Sequence, residues 1–72
     1  MPRSIDDLAR IAVAGGGFTI DGSRRSTDDL ARIARAASQH GSRIHILNCG
    51  RKSTDDLATI GLAGKGCISF EL

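Results

Sequence analysis

Ser26-Thr27-Asp28-Asp29-Leu30-Ala31-Arg32-Ile33 decides how this chain reads, because the same Ser-Xaa-Asp-Asp-Leu-Ala-Xaa-Ile segment stands at Ser4 to Ile11 and again at Ser53 to Ile60. A segment that recurs within 72 residues marks a tandem repeat, and a repeat is read by its unit. In each copy the serine occupies the N-cap place and the second aspartate falls at the third helical position. This is a capping box with Asp standing in for Glu or Gln. The pairs Asp6 and Asp7, Asp28 and Asp29, and Asp55 and Asp56 also suit the positive end of a helix dipole.

Outward from the caps, the apolar residues keep helical spacing: Leu8, Ile11 and Ala12, then Leu30, Ile33, Ala34 and Ala37, then Leu57, Ile60 and Gly61. Each helix therefore offers one narrow stripe to a core. Gly15, Gly41 and Gly64 follow the last periodic positions and are expected to close the helices in the left-handed conformation. Asp6 with Arg10, and Asp28 with Arg32, are expected to pair along their own helices, each pair worth about 0.2–0.5 kcal/mol. Thr59 interrupts that pattern in the third copy.

Beyond the glycines the chain alternates, and strands are expected over 17–21, 43–48 and 67–72. Phe18, Ile20, Ile44, Ile46, Ile68 and Phe70 point to one side; Thr19, His45, Leu47, Ser69 and Glu71 point to the other. Helix-containing crossovers between strands imply a parallel sheet. The fold class is therefore α/β: one domain over 1–72, built of helix-strand units at 4–25, 26–52 and 53–72 in a short solenoid-like layer, with all helices on one face of a three-stranded sheet. The layout resembles leucine-rich-repeat solenoids in arrangement only. Their pattern of leucines closing on an asparagine is absent, with Asn48 the lone candidate, so no family is claimed.

The net charge of +2 is mildly basic and lacks the dense Lys/Arg stripe of a nucleic-acid binder. With no Trp or Tyr, and with both Phe residues expected inside, the chain also lacks a base-stacking platform. Nucleic acid is an unexpected partner. Cys49 and Cys67 lack CxxC spacing and fall at opposite ends of neighbouring strands, too far apart for a disulfide, which needs Cα atoms about 4.4–6.8 Å apart. Both read as free thiols of a reducing, cytoplasmic compartment. Neither a secretory leader nor an apolar run long enough for a membrane is visible, and no metal or cofactor is expected.

In open α/β sheets, ligands gather beyond the carboxyl ends of the strands. The loops there carry Arg24, Arg25, Arg51 and Lys52, and a basic residue precedes each cap: Arg3, Arg25 or Lys52. Helix N-termini bind anions, so a phosphate-bearing small molecule such as a nucleotide is one expected ligand. The paired aspartates oppose it by occupying the same dipoles. The glycine runs at 14–17 and 63–66 follow a helix and open a strand, the reverse of a phosphate loop. His45 and Leu47 stand on the open sheet face as candidate contacts for a protein partner. Alternation puts Cys49 on the same side, but no third group is in place to orient a nucleophile, so catalysis is not expected. A small apolar complement, bare sheet edges and the absence of capping repeats favour a homo-oligomer. The expected function is non-enzymatic: self-association and binding of another protein, as inhibitor, adaptor or assembly subunit.

Overall fold

The computed structural model of the chain describes residues 4–72, so Arg3 lies outside the described residues. Each Ser-Xaa-Asp-Asp segment opens a helix: α1 at Ile5–Val13, α2 at Thr27–His40 and α3 at Thr54–Gly64. The cap serines hold extended backbone angles. Their hydroxyls accept from the amides of Asp7, Asp29 and Asp56, for Ser4, Ser26 and Ser53 respectively, at 3.1, 3.1 and 3.0 Å. The serine half of the capping box is thus formed in every copy.

The strands are β1 at Phe18–Asp21, β2 at Ile44–Leu47 and β3 at Ile68–Phe70, with a 3-10 turn at Gly22–Arg24 leading into α2. They form a parallel sheet in the order β1-β2-β3. The strands are shorter than their alternating sequences. Backbone pairing nonetheless continues past β3, where the Glu71 amide donates to the Ile46 carbonyl at 2.8 Å and the Glu71 carbonyl accepts from Cys49 at 3.1 Å. The register places Phe18, Ile44 and Ile68 side by side, then Thr19, His45 and Ser69, then Ile20, Ile46 and Phe70.

The helix stripes and one face of the sheet share a single core. Leu8, Ala12, Leu30, Ile33, Ala34, Ala37, Ile44, Ile46 and Ile60 are buried in it, with Phe18, Ile20, Ile68 and Phe70 packed partly buried against it. The molecule is a slab 17 Å through its shortest axis, the thickness of one helix layer on one sheet. Ser42, buried between α2 and β2, donates to the Ala12 carbonyl at 2.6 Å and so satisfies its hydroxyl while tying the end of α1 to the core.

Two local expectations are corrected. Gly64 does not close α3; it is the last helical residue, and Lys65 takes the left-handed cap at φ 48°. Gly64 is there because a Cβ would run into the Ile68 side chain. Arg32 does not pair with Asp28 on its own helix. It reaches across to Asp6 of α1 at 2.6 Å, with both side chains more than half exposed. Adjacent helices bring a carboxylate on one flank to a guanidinium on the facing flank, and that contact competes with the pairing along the helix.

Candidate functional site

Four surfaces bear on binding once the core is formed: the open sheet face, the basic rim at the strand ends, and the two flanks where the sheet stops.

On the open face the row Thr19, His45, Ser69 follows from the register, and His45 Nδ1 lies 2.7 Å from Ser69 Oγ. Alternation along one strand cannot show this pairing; aligning the repeat units does, because His45 and Ser69 are the second residues of their strands. Leu47 is half-buried on the same face, beside Asp21 of β1. Among the described residues no carboxylate bonds to His45, so the pair lacks the orienting group that a nucleophile and base require. Cys49 does not join them. Asn48 adopts φ 60° and turns the chain inward, so Cys49 is fully buried with its Sγ 3.5 Å from the Ile46 carbonyl. Burial pushes the Cys49 thiol pKa up, opposed in part by the charge of Lys52. Both cysteines are free.

At the rim, Arg24 and Arg51 are exposed, whereas Arg25 and Lys52 are half-buried. The Lys52 ammonium donates to the Arg25 carbonyl at 2.9 Å, tying the loop after β2 to the loop after β1. That is a structural use of a residue read as a ligand donor. Carboxylates share the rim. Asp21 accepts from the Ser23 hydroxyl at 2.6 Å and the Ser23 amide at 2.8 Å, and these bonds hold its carboxyl below the ordinary value, with smaller help from Arg24. Glu71 Oε1 accepts from the Asn48 amide at 3.3 Å.

The sequence names the bare sheet edges of the flanks but not the side chains beside them. Along the outer side of α1 and β1 runs a cleft of about 640 Å³ whose lining includes Leu8, Ile11, Phe18, Ile20 and Arg24. At the opposite flank Leu62 on α3 and Leu72 after β3 are each 81% exposed. The available signal was the repeat alignment: Leu62 stands where the second unit carries Arg35, an apolar residue on a helix side that the unit before it keeps polar.

Among the described residues, no three His, Cys, Asp or Glu side chains gather as metal ligands, and no helix is long and apolar enough to cross a membrane. Comparison with protein-family models, curated proteins and solved structures finds no match to this chain.

Proposed function

We propose that the chain is a non-enzymatic stacked repeat protein, its three helix-strand units forming one solenoid-like domain, and that it works by binding protein, a second copy of itself first of all. The observation that carries this reading is the difference between the middle unit and the outer two. Leu30, Ile33, Ile44 and Ile46 of the middle unit are essentially fully buried, while Phe18 and Ile20 of the first and Leu57, Ile68 and Phe70 of the third are only partly so. The same apolar positions are filled in every unit; the middle unit, with neighbours on both sides, buries all four of them, whereas of their counterparts in the outer units only Leu8 and Ile60 are buried. Bare parallel edges add to the case, since unpaired strand groups are templates for another chain. The free thiols fit a reducing, cytoplasmic setting.

The alternative reading, an anion such as a nucleotide at the rim, retains Arg24, Arg25 and Arg51 as donors. It is weakened by the commitment of Lys52 to the Arg25 carbonyl and by Asp21 and Glu71 at the same strand ends. His45 and Leu47 remain the contacts for a different protein on the open face.

Light scattering on the purified chain across a concentration series tests the self-association. The reading expects a mass above the 7.6 kDa protomer that rises with concentration. A constant protomer mass into the millimolar range would refute it.

A further inference from the structure

The repeat alignment states which surface of one copy fits which surface of the next. Asp6, Asp28 and Asp55 are matching residues of the three units, as are Arg10, Arg32 and Thr59, and Val13, Arg35 and Leu62. Inside the chain the first of these sets meets the second across a unit boundary, in the Asp6 to Arg32 ion pair. At the next boundary the matching positions are Asp28 and Thr59, and Thr59 has no charge to offer. Two members of these sets are left over. Asp55 and Arg10 are both exposed, Arg10 standing between the groove toward α2 and the α1 surface beside Asp7, Ile11 and Ala14, and among the described residues neither forms an ion pair.

We infer that this chain associates head to tail with a second copy, the α3 and β3 flank of one docking on the α1 and β1 flank of the next, with Asp55 pairing to Arg10 across the junction. The inference rests on the self-association proposed above and specifies its geometry. Charge complementarity selects the occupant, because the junction repeats between copies the ion pair already formed inside one. Apolar matching agrees. Leu62 occupies the position of Val13, which lines the groove between α1 and α2, so on docking it would lie over Ala14 of the next copy as Val13 lies near Ala36. The edges of β3 and β1 would pair in the register seen within the sheet, Ile68 beside Phe18 and Phe70 beside Ile20, covering the cleft along α1 and β1. One cost accompanies this register: Glu71 comes opposite Asp21, and like charges facing across strands oppose pairing. Different surfaces meet at such a junction, so the product is a ring if the rotation closes and a filament if it does not.

Charge reversal tests the geometry, read by sedimentation velocity, with circular dichroism to confirm folding. Arg10→Asp and Asp55→Arg are each expected to weaken association about fivefold or more at low salt, because each replaces an attraction with a repulsion. The double variant carrying both reversals is expected to recover most of the loss, since the reversed flanks then face one another, and an equimolar mixture of the two single variants is expected to associate better than either alone, because the reversed flank of each meets the reversed flank of the other with opposite charge and the unaltered flanks meet as in the wild type. Wild-type association that is indifferent to both reversals, or that the double variant fails to recover, would overturn this docking while leaving self-association standing. A wild-type chain that stays a monomer would overturn both.

Discussion

Cys49 and His45 part company because Asn48 lies between them at φ 60°. Strand alternation predicts both on the open face, and alternation holds only while the backbone stays extended. Asparagine is among the residues that most readily enter the left-handed region, but sequence alone does not say when it does so. The thiol is therefore a core group, and its titration becomes a stability term. Its pKa is raised in the folded chain, so below the ordinary value of 9.0 the thiol is protonated in both states and the contribution is complete. Above that value the unfolded chain loses the proton first, and stability falls until the folded pKa is passed. Urea midpoints measured between about pH 8 and 10 should fall more steeply for the wild type than for Cys49→Ala. Equal slopes would remove Cys49 from the account. The His45 to Ser69 contact, by contrast, was legible in principle, because it needs only the repeat alignment and a parallel register.

At the scale of elements, helix starts were read from Ser4, Ser26 and Ser53 without error, since a hydroxyl bonding to the amide three residues on is a local event. Helix ends were less legible. A glycine near a helix end can serve as the cap or as a space for a neighbour, and Gly64 serves the second purpose under Ile68 while Lys65 takes the strained angle. The two roles predict opposite signs on substitution. Gly64→Ala at an uncrowded helical site would stabilise by about 1 kcal/mol through propensity. Against Ile68 it should destabilise by about 1–3 kcal/mol in urea unfolding, with part of the loss recovered by adding Ile68→Ala. A stabilised Gly64→Ala would refute the packing of α3 on β3 described here. The Asp6 to Arg32 pair is the other case in which the sequence named the charged residues and misassigned the partner. Spacing of four along one helix is visible in sequence; which helix flank faces which is a property of the assembled layer.

For the whole molecule, the parallel sheet follows from helices intervening between strands, and the structure shows three helices with a sheet in the order β1-β2-β3. The bare sheet edges were legible but the side chains of the flanks were not, because exposure of Leu62 and of the α1 and β1 cleft depends on what the neighbouring unit covers. The central claim is that these flanks and edges are the binding surface, with a second copy as partner. Hydrogen exchange at single amides tests it most directly. Glu71 donates to Ile46 and Cys67 accepts from Ile44, so the parallel ladder alternates to leave the amides of Ile68 and Phe70 on the outer edge of β3, and by the same alternation Thr19 on the outer edge of β1. The account predicts that exchange at Ile68, Phe70 and Thr19 slows as chain concentration rises. Exchange at these three amides that is fast and independent of concentration would contradict it.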